Sequence, residues 1–371
     1  MAALLRGSVG GVTVRIGRRT ALLLAAGLVT GCATQGDEGN GAVATPGTTV
    51  SEGLLARIAS ELNAAVEGRD ATRFARVFAA EAATTGRIIA ANALALGAWR
   101  AEPNDGGLRI RTRAGTEPGR GSAEVTLNVD EAGRVTSIAE RLGDHAIVWL
   151  HHAIEVLRQG QVWAIVATGR AASAQSWLAA AAEAQSRLIG EDWSAWRPDP
   201  AWDGSLVVEL PADLLQFGEP AGIGAYVRLR GSDDDARIVC NPVDRPGLDD
   251  TGRAQLLTHE AVHAVTRSPA RVAPGWVVEG YAEHGAERAF PDLEASNATL
   301  LPTDPDAAAL PSDQAVAAGD LAVYALAARA VAGAQERWGR VQTDAWFADW
   351  QSPGRPDDAA FTDALRAALR R

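Results

Sequence analysis

The stretch His259-Glu260-Ala261-Val262-His263 is followed sixteen residues on by Glu279, in Trp276-Val277-Val278-Glu279-Gly280-Tyr281-Ala282-Glu283, and its reading decides the rest of the chain. Two histidines four apart on a helix stand one turn above each other, so both imidazoles can reach one ion about 2.0–2.1 Å from each nitrogen. Glu260 sits beside His259, where it can take a proton from a water held at the ion instead of ligating the ion itself. A catalytic zinc site needs three protein ligands and one open position, and Glu279 supplies the third.

Local signals place both segments on helices. Leu248-Asp249-Asp250-Thr251 offers N-cap candidates ahead of a helix over Gly252–Thr266, and acids at that end suit the helix dipole. Leu256, Leu257, Ala261, Ala264 and Val265 give that helix apolar flanks to bury. A second helix opens near Pro274-Gly275-Trp276, where a proline loses little by lacking an N–H. Glu279 and Glu283 then share a face, four apart.

At these residues the chain resembles the gluzincin branch of the zincin metallopeptidases, in the peptidase MA-like superfamily, which pairs HExxH on one helix with a ligand Glu on the next, often as W-x-x-E-G-x-A. The resemblance implies His259, His263 and Glu279 as Zn2+ ligands, Glu260 as general base, and Glu283 as a carboxylate that orients a ligand histidine. It also implies a Tyr or His oxyanion donor from a helical lobe. Of the three tyrosines, Tyr226 falls on a strand and Tyr281 points away from the ligand face, so Tyr324 is the candidate; the alternative is that Tyr324 simply packs in an Ala/Leu-rich helix. The resemblance is specific over Thr258–Glu283 and extends loosely from about residue 170 to the end; residues 50–168 share nothing diagnostic with peptidases.

The N-terminus reads as an export signal. Arg15, Arg18 and Arg19 precede the apolar run Ala21–Val29, which ends in Val29-Thr30-Gly31-Cys32. The run is too short to span a bilayer as a helix. Val-Thr-Gly-Cys resembles a bacterial lipobox, which implies lipidation of Cys32 and a mature chain tethered to the extracytoplasmic face of the cell membrane.

Composition agrees with an exported globular protein. The chain has 371 residues and a net charge of −11, and removing the four arginines of residues 1–31 takes it to −15. So acidic a body makes a poor nucleic-acid binder and gains nothing from an anionic membrane surface. With Cys32 lipidated, Cys240 is the one remaining thiol, and Ile238-Val239-Cys240 makes it a small buried hydrophobe.

The fold class is α+β. Residues 1–31 form the lipoprotein signal and residues 32–50, rich in Gly, Thr and Ala, a flexible tether. Residues 51–168 form an accessory domain: helices at Ser51–Val66 and Ala71–Ala83, then period-two strands in which Leu108, Ile110 and Thr112 alternate with Arg109, Arg111 and Arg113. Ala123–Val129 and a return strand follow, then a hairpin joining Ala146–Leu157 to Val162–Thr168. Helices on an antiparallel meander faintly resemble the cystatin or SnoaL-like cone folds, which carries no functional implication.

Residues 169–371 form the zincin-like domain. A helix at Ala171–Leu188 precedes strands at Ser205–Leu210, Ile223–Leu229 and Arg237–Asn241. The site helices come next, then a loop at Pro302–Pro311 and a helical lobe with helices at Gln314–Trp338, Thr343–Trp350 and Asp357–Arg370.

The other histidines carry blander readings. Adjacent His151 and His152 fall on opposite faces of a strand and read as structural, His145 lies in a turn, and His284 takes a solvated helix position. The expectation is a lipid-anchored zinc peptidase acting on a peptide or protein substrate. The alternative is a catalytically silent zincin-fold lipoprotein that binds or scaffolds in the cell envelope; a scaffold would keep the ligands but has no use for Glu260.

Overall fold

The computed structural model of the chain describes residues 50–104, 107–114, 122–140, 148–196, 202–217, 223–230, 235–243 and 248–371. The segment expected to be an export signal, Cys32 and His145 lie outside the described residues.

Ser51 begins the first helix, its hydroxyl accepting from Leu54 N, and α1 (Glu52–Glu67) buries Leu55, Ile58 and Leu62 along one stripe. After α2 (Ala71–Ala75), α3 (Ala83–Leu96) ends at Gly97, whose φ of +81° only glycine adopts freely. β1 (Gly97–Asn104), β2 (Gly107–Ala114), β3 (Ser122–Val129) and β4 (Val135–Glu140) form an antiparallel meander in sequence order. Leu108, Ile110, Val125 and Leu127 face its core, while Arg111 is exposed on the other side. Sequence reasoning missed α3 and β1. Glu, Pro and Asn make β1 a poor strand on propensity, and its eight-residue register with β2 overrides that.

His151 and His152 lie off any strand: α4 (Val148–His151) ends there, and β5 (Ile154–Gln159) begins two residues later. The buried Asn92 holds this corner, donating to Trp149 O at 2.7 Å and His152 O at 2.6 Å and accepting from Ile154 N at 3.0 Å. A side chain some sixty residues away thus breaks the strand expected over Ala146–Leu157.

β5 and β6 (Val162–Ala167) form the expected hairpin, but it does not join the meander. It enters a five-stranded sheet ordered β5-β6-β7-β9-β8, where β6 runs parallel to β7 (Leu206–Leu210). The crossover between them carries α5 (Ala171–Leu188), and the short α6 (Leu214–Phe217) follows β7. β8 (Ala225–Arg230) pairs antiparallel with β9 (Asp235–Cys240), which lies parallel to β7. Every residue of β6 is buried. Val162, Ala164 and Val166 pack into the core beneath α5, whereas Ile165 and Ala167 pack into the N-terminal core. A strand covered on both faces is a continuous apolar run, which sequence alone cannot assign to one side.

The same sheet holds a charged centre. Glu209 on β7, fully buried, accepts from Arg228 on β8 and Arg237 on β9, and Arg237 also donates to Thr112 of β2 at 3.1 Å. Burial raises the Glu209 pKa, but the two guanidiniums outweigh it and hold the carboxyl at about 2.

The remaining chain is helical: α7 (Asp250–Thr266), α8 (Gly275–Ala289), α9 (Pro291–Ala298), α10 (Asp313–Ala317), α11 (Leu321–Trp338), α12 (Arg340–Ala348) and α13 (Asp358–Leu369). The single helix expected over Gln314–Trp338 is two, because Gly319 takes a φ of +72° and Asp320 caps α11 from Ala322 N at 2.9 Å. The protein is an α+β structure with two small sheets and a helical C-terminal region. Among the described residues no helix is long and apolar enough to cross a membrane.

Candidate metal centre

α7 starts where Asp249 accepts from Gly252 N at 2.9 Å, and it buries Ala254, Leu257, Ala261 and Val265. That register puts His259 and His263 on one side, His263 with 1 % and His259 with 11 % of its side chain exposed. The helix ends at Arg267, whose left-handed φ of +54° turns the chain so that the Ser268 hydroxyl meets His263 Nδ1 at 2.8 Å. α8 opens after Pro274 and closes on α7 through Gly285, where a Cβ would lie 2.7 Å from Val262 Cγ2. Glu279 and Glu283 therefore face the two histidines.

Three ligand atoms converge. Glu279 Oε2 lies 3.2 Å from His259 Nε2 and 3.2 Å from His263 Nε2, and the two Nε2 atoms are 3.1 Å apart. Tetrahedral ligands about 2.0–2.1 Å from one ion stand about 3.3 Å from each other, so this triangle has the dimensions of a metal site. The opposite ring nitrogens have partners of their own: His259 Nδ1–H donates to Glu283 Oε2 at 2.9 Å, and His263 Nδ1 lies beside Ser268 Oγ, so both Nε2 atoms are aimed inward. His259, His263 and Glu279 could thus hold a metal ion.

The charges of the triangle are coupled, and a metal ion would have to displace a proton from His259. Burial works against the Glu279 anion, yet contacts with His263 and His259 hold its carboxyl well below the usual range. Burial likewise opposes the His259 cation, but Glu279 and Glu283 raise its pKa well above the ordinary value, whereas burial prevails at His263 and lowers it. Glu260 differs: burial pushes its carboxyl up to about 8, with the Glu279 charge adding to the effect and His259 opposing it. No described residue hydrogen-bonds the Glu260 carboxyl, although the residue is only 6 % exposed.

Tyr324 of α11 comes to the same place. Its ring centroid lies 6.0 Å from that of His259, and the residue is 5 % exposed. The other tyrosines stand elsewhere: Tyr226 donates to Phe217 O at 2.9 Å, and Tyr281 packs on Trp196 with ring centroids 4.8 Å apart. Cys240 is buried, and burial pushes its thiol well up, in keeping with a small hydrophobe.

Two residues of the centre escaped sequence reasoning. Ser268, directly after the helix turn, had a weak local signal as a polar residue one turn and a half beyond His263. Asn297 on α9 had none. Its Nδ2 donates to Glu283 Oε1 at 2.7 Å and to Glu287 Oε1 at 2.8 Å. His284, read as solvated, is also partly enclosed: Nε2 bonds Gln335 Oε1 at 3.2 Å, and 16 % of the side chain is exposed.

Scans of the chain against models of known protein families and against curated proteins find no match.

Proposed function

We propose that this chain is a zinc-dependent peptidase of the gluzincin type, exported and held at the extracytoplasmic membrane face by a lipid on Cys32. The observation that carries the reading is the triangle of His259, His263 and Glu279 with Glu260 adjacent. Two imidazole nitrogens, one carboxylate oxygen and an open position suit catalytic zinc. Bound zinc would lower the pKa of a coordinated water to about 7 and polarise a carbonyl.

The protein's own residues supply the rest. The charge of a bound ion would lower the Glu260 carboxyl from about 8, so that it accepts the proton of the attacking water and passes it to the leaving amine. A buried carboxyl that no described residue hydrogen-bonds costs stability, which favours a chemical role over a scaffold. Glu283 and Ser268 hold the histidine rings so that both Nε2 atoms face the ion site. Tyr324, with its ring beside His259, donates to the oxyanion that develops on the substrate carbonyl. The substrate is a peptide or protein outside the cytoplasm.

The test is elemental analysis of the chain purified without added metal, run beside hydrolysis of a mixed peptide library. Near-stoichiometric zinc with cleavage of some peptide is expected. Zinc without cleavage of any peptide would return the chain to an envelope scaffold. Loss of detergent partitioning in Cys32→Ser tests the anchor; a wild-type protein released soluble into the medium would sink it.

A further inference from the structure

Glu283 and Glu287 stand one turn apart on α8, and two carboxylates at that spacing repel. Glu287 is 8 % exposed. Glu283 is the acceptor that fixes His259, so its own orientation decides where His259 Nε2 points. What holds Glu283 comes from another helix: the Asn297 amide, with one hydrogen on Glu283 Oε1 and the other on Glu287 Oε1. A primary amide is one of few groups with two hydrogens in a fixed fork, and both acceptors here are ionisable carboxyls.

We infer that Asn297 is a positioning residue for the metal centre. By clamping Glu283 against Glu287 it sets the carboxylate that orients His259, and it ties α9 to the ligand set. Removal of its amide leaves the two carboxylates facing each other, and Glu283 turns away from His259 Nδ1. A ligand histidine that loses its oriented partner binds metal more weakly by about 10–100-fold. This rests on the reading of His259, His263 and Glu279 as ligands.

The experiment uses the full chain stripped of metal. Zinc affinity is measured by competition with a chelator, and ligand geometry by the visible bands of the cobalt(II) form. Asn297→Ala is expected to weaken zinc about 10–100-fold and to shift the cobalt bands. Asn297→Asp, nearly isosteric, replaces the donor with a third carboxylate and should weaken it further.

Glu283→Gln added to Asn297→Asp reverses the hydrogen bond. The introduced amide then donates to the introduced carboxylate, while its carbonyl still receives the His259 proton. The double variant should recover about tenfold over Asn297→Asp alone, an interaction of the size that neighbouring groups show. Should Asn297→Ala fail to fold, the aspartate variant and its rescue carry the test.

Wild-type zinc affinity with unshifted cobalt bands in either single variant overturns the inference, as does strict additivity in the double variant. A wild-type chain that takes up neither metal overturns the metal reading itself, and this inference with it.

Discussion

Gly280 and Ala327 touch backbone to backbone: a Cβ on Gly280 would lie 2.5 Å from the Ala327 carbonyl oxygen. That contact lets α11 lie close against α8, and it brings Tyr324, one turn before Ala327, over His259. Gly280→Ala should therefore act on function as well as fold. The helix-propensity gain of about 1 kcal/mol is outweighed by overpacking against a carbonyl that cannot yield, which costs about 1–3 kcal/mol. Thermal unfolding should show a lower Tm, and kcat should fall with metal content intact. A variant more stable than wild type, as expected for an open helical glycine, would contradict the close approach.

Glu260 and Glu279 should separate in function. Glu260→Gln is expected to keep the metal and the fold while losing activity by about 10²–10⁴ or more. Glu279→Ala should lose the metal too, because it removes one corner of the triangle. Metal analysis beside kcat/KM distinguishes them; equal metal content in the two variants would dissolve the division of roles.

Tyr324→Phe removes one hydroxyl and leaves the packing of a buried ring unchanged. As an oxyanion donor it should cost about 10²–10³ in kcat. Zinc content should match wild type and stability should change by no more than the loss of one hydrogen bond, about 1 kcal/mol, while a near-wild-type kcat would leave Tyr324 a structural residue only.

Glu209 gives the fold a pH signature. Its pKa falls from the ordinary 4.5 to about 2 in the folded protein, through Arg228 and Arg237 acting against burial. A depressed folded pKa contributes stability that is present above the unfolded value and is lost as pH falls from about 4.5 towards 2. That contribution is about 3 kcal/mol. Denaturant unfolding across this window should lose its pH slope in part in Glu209→Gln, which also strands two buried guanidiniums and should cost about 3–5 kcal/mol at neutral pH. An unchanged slope would assign the acid sensitivity to other carboxyls.

What sequence could reveal here followed helical period. His259 and His263, and likewise Glu279 and Glu283, are spaced by four on two helices, one capped by Asp249 and the other opened by Pro274, so their common face was legible without coordinates. Tyr324 was reachable by elimination among three tyrosines. Asn297 was not, because its partners belong to α8 and the fold of α9 back across it is a tertiary fact. β1 was hidden by poor propensity, and the corner at His151 and His152 by its dependence on distant Asn92. The 154–167 hairpin was seen, but its partner strand β7 lies beyond an intervening helix, and local pattern carries no record of such pairing.

β6 has a consequence for how the protein can be divided. Because its alternate side chains belong to two cores, it is a party wall, and neither room stands without it. A fragment beginning at residue 169 would leave β7 with a raw edge and Val207 bared to water. The C-terminal half is therefore no detachable unit: a cut that left the proposed metal centre on an intact fold would have to fall before α1.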